Sequence, residues 1–147
     1  MDSLLAIVQK LALFRDCTSA QVREVLQICV SHPFKEGEII CKAGDKSENM
    51  FVILTGSVEI RTAEDVPLLT EDSVTTIGEA GLLTGETRSA TVVAKTAVTT
   101  LSMNRRRLLP LMNHDTALAK YLYRNVLFMV RGKLIASNQR ISELLKE

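Results

Sequence analysis

Apolar residues follow one spacing at the two ends of this chain and another in its middle. Leu4, Leu5, Val8, Leu11 and Ala12 recur three and four residues apart, the stripe of an amphipathic helix. Thr18 with Gln21 three residues on has capping-box spacing. It predicts a second helix with Val22, Val25, Leu26 and Cys29 on its buried face. Pro33 reads as its stop, so residues 1–34 are expected to form a helical N-terminus.

From Phe34 to Met103 the helical spacing is lost. Six of the seven glycines lie between Gly37 and Gly85, and eleven of the thirteen threonines between Thr55 and Thr100. Threonine and valine favour strands and glycine favours turns, which predicts short strands at 38–41, 49–55, 57–61, 66–69, 74–76, 88–94 and 97–103. Many short antiparallel strands suggest a sandwich or jelly-roll barrel.

After Met103 the helical spacing returns. Asn104 is placed to cap a short helix through Leu111, and Asp115 to cap a long one reaching the C-terminus. The long helix would have about 33 residues and span roughly 50 Å. Its first half is apolar on several sides, with Leu118, Tyr121, Leu122, Val126, Leu127 and Met129. Its second half narrows to a seam: Leu127, Leu134 and Ile141 lie seven apart, with Val130, Ser137 and Leu144 between them. Gly132 interrupts it at a cost of about 1 kcal/mol relative to alanine. A helix this long overhangs a domain this small, so its end is expected to meet a second copy or a partner protein. The chain as a whole is expected to be one α+β domain over 1–147. A β jelly-roll barrel at 35–103 is flanked by the N-terminal helices and by C-terminal helices at 104–147.

Composition narrows the function classes. Leu, Ile and Val supply 42 of the 147 residues, Phe and Tyr only six, and there is no Trp. With no Phe, Tyr or Trp between Val52 and Lys120, the middle of the chain has no stacking platform for single-stranded nucleic acid. No run of 18 apolar residues predicts a membrane span, and no basic stretch with an apolar core marks an N-terminal signal. A cytoplasmic protein is expected. Cys17, Cys29 and Cys41, odd in number and 12 residues apart, read as reduced, buried thiols rather than a disulfide framework.

The net charge of +1 is an average of unlike parts. Residues 1–34 sum to zero, residues 35–103 to −5, and residues 104–147 to +6. Arg105, Arg106 and Arg107 read as a basic helix face rather than a nucleic-acid contact. His32 and His114 lack the spacing of a metal site, and no nucleophile-elbow motif is present.

Candidate chemistry concentrates at residues 77–92, IGEAGLLTGETRSATV. Gly78 and Gly81 allow the backbone to approach a ligand and aim N–H groups at an anion. Arg88 offers a planar fork matched to phosphate, and Glu79 an acceptor for paired hydroxyls. Together they describe a site for a small ribose phosphate.

This stretch resembles the phosphate-binding cassette of the cyclic nucleotide-binding domain, whose pattern runs Gly-Glu-x-Ala/Gly-Leu, a spacer, then Arg-x-Ala. Phe34, Gly37-Glu38, Ile40, Gly44 and the run from Met50 to Val58 resemble the opening strands of that family, and the similarity covers roughly residues 10–140. The resemblance implies a sensor domain of the catabolite-activator or protein kinase A regulatory-subunit type. By that resemblance Glu79 accepts from the ribose 2′-hydroxyl and Arg88 pairs with the exocyclic phosphate oxygens. The N–H groups of Gly81 and Leu82 complete the pocket, Ser89 adds a hydrogen bond, and Gly78 and Ala90 complete the motif. Three departures bear on affinity: Thr87 stands where proline is frequent, Ile77 replaces Phe, and Val74-Thr75 replaces a Gly-Asp turn.

Three functions are weighed. The first is a non-catalytic sensor of a cyclic mononucleotide that needs no cofactor and relays binding through the C-terminal helix. Ser89 favours cAMP over cGMP as its ligand. The second is the sensor part of a DNA-binding regulator; the chain stops at Glu147, so no recognition helix follows and direct DNA binding is not expected. The third is an interaction or dimerisation module that no longer responds to nucleotide, against which Glu79 and Arg88 both speak.

Overall fold

The computed structural model describes residues 2–146. Helix α1 (Asp2–Val8) gives way to a 3₁₀ turn at Ala12–Phe14 and then to α2 (Ser19–Gln27). The Thr18 hydroxyl accepts from the Gln21 N–H while the Gln21 side chain accepts from the Thr18 N–H, so the capping box forms as its spacing predicts. The expected stop at Pro33 is wrong. Helix α2 ends at Gln27, and Pro33 lies inside β1 (Val30–Phe34), so the barrel begins before residue 35. β1 is an edge strand, where a proline without an N–H is tolerated.

The remaining strands are β2 (Ile39–Cys41), β3 (Asn49–Thr55), β4 (Ser57–Arg61), β5 (Pro67–Asp72), β6 (Thr75–Ile77), β7 (Thr91–Ala94) and β8 (Val98–Asn104). They form two four-stranded antiparallel sheets, β1-β8-β3-β6 and β2-β7-β4-β5. Helix α3 (Glu79–Thr84) leaves the end of β6, while α4 (Arg105–His114) and α5 (Thr116–Lys146) follow β8. This is the expected jelly-roll with flanking helices. Asn104 caps α4 through the Arg106 N–H, and Asp115 caps α5 through the Leu118 N–H.

β3 is buried on both faces and separates two cores. Phe51 and Ile53 point into the barrel with Phe34, Val58, Ile77, Val92 and Val98. Met50 and Val52 point the other way, against a helical layer that includes Phe14, Val22, Leu108, Leu118 and Leu122. The alternation is the period-two geometry of a strand. Leu82 and Leu83 of α3 belong to this second core, so the short helix is anchored to the outer face of β3 as well as to α5. Helix α5 has 31 residues, about 46 Å, and nothing beyond Val126 in it is fully buried. Asn125, 2% exposed, ties its first half to the N-terminus by donating to the carbonyls of Leu13 and Arg15.

Candidate functional site

The stretch from Ile77 to Val92 runs from β6 through α3 to β7, with α3 packed against β3 and α5. Gly78 is the N-cap of α3 with φ +83°, a left-handed conformation that side chains avoid. A Cβ at that position would also overlap Nη1 of Arg88. Glycine is therefore required twice here, once by the backbone and once by the arginine lying across it.

Arg88 is held by its own backbone and by its fork. Its N–H donates to the Asp45 carbonyl at 2.8 Å, and its carbonyl accepts from the Gly44 N–H at 2.9 Å. Thr87, where a proline is frequent, pairs instead with Lys46 in an isolated antiparallel bridge. Arg88 Nη2 donates to the Asn49 carbonyl, while Nη1 is buried with no partner among the described residues. The Asn49 side chain accepts from Asn104, the α4 cap, so the arginine is connected to the start of the C-terminal helices. Arg88 lines a cavity of about 220 Å³ together with Ile40, Cys41, Lys42, Asn49 and Phe51. That is smaller than the roughly 300–1,000 Å³ of clefts that enclose drug-sized ligands.

Glu79 begins α3 and is 2% exposed. Its Oε1 is paired with Nζ of Lys133 on α5, and its Oε2 accepts from the Thr76 hydroxyl at 3.5 Å. The buried carboxylate thus has partners from both its own segment and the long helix. This pair is absent from the sequence reading, because Lys133 is one of several cations on α5 and nothing in its spacing singles it out.

The other cassette residues divide. Gly81 packs against Ser47, a residue sequence reasoning passed over, whose buried hydroxyl has no partner among the described residues. Leu82 stands differently from Gly81. Its N–H donates to the Gly78 carbonyl at 3.2 Å, closing the first turn of α3, and its side chain is fully buried in the helical core. A helix leaves its first N–H groups unbonded but not this one. Ser89 is exposed and Ala90 half-buried in the bend before β7. The arginine run is split three ways: Arg105 Nε is buried beside Gly85, Arg106 pairs with Glu48 at 3.2 Å, and Arg107 is exposed.

Burial raises all three thiols: Cys17 to about 11 and Cys29 to about 12, with Cys41 also raised against an opposing pull from the Arg88 cation. All three are free. No helix of the described residues is long and apolar enough to cross a membrane.

Known proteins resemble this chain in sequence and in fold. The sequence model of the cyclic nucleotide-binding domain matches residues 31–115. A cyclic nucleotide-gated potassium channel of Mesorhizobium japonicum is 33% identical over 98 residues, covering 67% of this chain and 27% of the channel. The dog cyclic nucleotide-gated channel beta-3 is 25% identical over 142 residues, covering 93% of this chain and 18% of its own. The chain therefore spans roughly a quarter or less of these relatives. Among solved structures, the N-terminal domain of a transcriptional regulator from Streptomyces coelicolor superposes with a TM-score of 0.75 at 25% identity, covering 89% of this chain and 94% of that one. A cyclic nucleotide-binding domain from Methylobacillus flagellatus gives 0.82 at 23% identity, covering 99% and 83%, and shares the fold.

Proposed function

The chain belongs to the cyclic nucleotide-binding domain family, and from that premise we propose that it is a non-catalytic sensor of a cyclic mononucleotide. In this reading cAMP is preferred to cGMP, and occupancy is relayed by movement of α5 to a partner protein. The observation that carries the relay is the ion pair between Glu79 and Lys133. The carboxylate that would accept from the ribose is already held by a side chain of the helix that would signal.

The chemistry follows from the donors. Arg88 Nη1, buried without a partner among the described residues, supplies a charge-assisted hydrogen bond to an exocyclic phosphate oxygen, while Nη2 stays on Asn49 and fixes the plane of the fork. In this reading the Gly81 N–H, ahead of the first bonded turn of α3, donates to phosphate, while the Leu82 N–H is bonded to the Gly78 carbonyl. A ribose hydroxyl entering beside Glu79 competes with Lys133 for the same carboxylate. Binding then loosens the tie between α3 and α5, a two-state element biased by a ligand that prefers one state. In this reading Ser89, exposed next to Arg88, contacts phosphate or purine, which is the reason cAMP is taken as the preferred ligand.

Calorimetric titration of the chain with cAMP, cGMP and cyclic dinucleotides tests this reading. cAMP is expected to bind most tightly and the dinucleotides not at all. At 100 times its dissociation constant the ligand adds about 2.7 kcal/mol of stability. No heat and no thermal shift with millimolar cAMP or cGMP would leave an interaction module without nucleotide response.

A further inference from the structure

The outer face of α5 carries an apolar seam that the domain leaves bare. Leu127 is 69% exposed, Leu134 60% and Ile141 55%, with Val130 and Leu144 half-turned between them. Tyr123, 50% exposed, lies seven residues before Val130 and extends the seam toward the N-terminus of the helix. It therefore alternates steps of three and four from Tyr123 to Leu144, with Ser137 its one polar member. That is the repeat of a helix that packs along another helix.

The flanks say what kind of helix. Arg124, Arg131, Lys133 and Arg140 border the seam, and α5 as a whole carries six cations against one carboxylate, Glu143. Arg124 is bonded to Asp16 and Lys133 to Glu79, which leaves Arg131 and Arg140 exposed, with no carboxylate partner among the described residues. A second copy supplies nothing to pair them. In a parallel coil the flanking residues meet five apart, so Val126 faces Arg131, Lys133 faces Asn138, and Arg140 faces Leu145. No opposite-charge pair forms, and an antiparallel arrangement sets cation against cation.

We propose that this seam docks an amphipathic helix of another protein whose own seam is aliphatic and whose flanks are acidic. It names the chemistry of the partner in the relay described above and rests on that reading for its purpose, though not for its contacts.

Two synthetic four-heptad peptides, both with leucine seams, test it against the whole chain, one with glutamate flanks and one with lysine flanks. The glutamate peptide is expected to form a one-to-one complex, with the lysine peptide about tenfold or more weaker. Arg131→Glu with Arg140→Glu is expected to reverse that preference, and Leu134→Gln to weaken both peptides. Equal binding of the two peptides, or an unreversed preference in the double variant, overturns the proposal. So does a dimer of the chain alone in sedimentation, or binding to phosphatidylserine vesicles unaffected by the peptide. Nucleotide titration of the same samples separates the two readings. Peptide selectivity without nucleotide binding removes the sensor and keeps the dock; nucleotide binding without peptide selectivity does the opposite.

Discussion

Ser47 occupies the space that a side chain on Gly81 would need: its hydroxyl and its Cβ both overlap the position of a Cβ there. Ser47 is 1% exposed, and its hydroxyl is buried without a partner among the described residues. The Gly81–Ser47 contact thus adds to the Arg88–Asp45, Gly44–Arg88 and Lys46–Thr87 backbone links that seat the cassette on the loop before β3. Gly81→Ala is expected to destabilise by about 1–3 kcal/mol through overpacking. In thermal unfolding that lowers the midpoint by roughly 3–10 °C. Ser47→Gly removes both overlapping atoms, so the double variant should recover most of the loss. Strict additivity of the two changes would show that the contact is not the cause.

Arg88 is the second test. Removing it strands a phosphate without its charged partner, so Arg88→Ala should weaken cAMP binding by about 2–5 kcal/mol. That corresponds to roughly 30- to several-thousand-fold. Arg88→Lys keeps the charge but loses the fork that spans Asn49 and the ligand, and is expected to fall between the two. Calorimetry placing the alanine variant within twofold of the parent would remove Arg88 from the site.

Much of this arrangement was legible in the residue pattern. Strands β3 and β4 occupy the predicted residues, and three capping groups, Thr18, Asn104 and Asp115, bond as their spacing implies. These are local features, set by neighbours a few positions away. β1 was missed because a proline that stops a helix is equally at home on a sheet edge, and which edge is free depends on the pairing with β8. The bond from the Leu82 N–H to Gly78 was not legible because it forms only once α3 closes its first turn. The Glu79–Lys133 pair joins segments distant in sequence, and no pattern within either one announces it.

The thiols give a test of burial. With Cys17 raised to about 11 and Cys29 to about 12, the thiolate at pH 8 is about a thousandth or less of either group. Alkylation of Cys29 by iodoacetamide should be at least a hundredfold slower in the folded chain than in urea. The linked stability has a fixed sign. A folded-state value above the ordinary 9.0 favours the folded form below pH 9, and that contribution is lost as pH rises towards about 12. Cys29→Ala should therefore flatten the alkaline limb of a stability profile. Prompt labelling of Cys29 at pH 8 would contradict its burial.

Asp115 acts at the other end of the scale. The Leu118 N–H first, and then the Gln21 side chain at 3.0 Å, hold its carboxyl below the ordinary 3.8. A depressed value stabilises the folded form above the ordinary pKa, and the contribution fades as acid drives the pH down through the folded value. The stability difference between the parent and Asp115→Ala should therefore be full at pH 7 and shrink below about pH 4. Urea midpoints measured across that range check it, and a constant difference would mean that the cap bond does not depend on the charge.

Lys133 decides whether α5 is latched to the ligand site. Its side chain is 55% exposed, so its pair with the buried Glu79 is screened and contributes on the order of 1 kcal/mol. In the proposed reading a ribose 2′-hydroxyl shares or displaces that ammonium to reach the carboxylate. Lys133→Ala removes the competitor, and cAMP is expected to bind roughly three- to tenfold more tightly. The 2′-deoxy analogue, which has no hydroxyl to offer Glu79, should bind the parent and the variant alike. Amide exchange should at the same time quicken in α5 around residue 133, because the helix loses its tie to α3. Weaker cAMP binding in the variant would mean that Lys133 supports the ligand rather than competing with it, and the relay would then need another contact between α3 and α5.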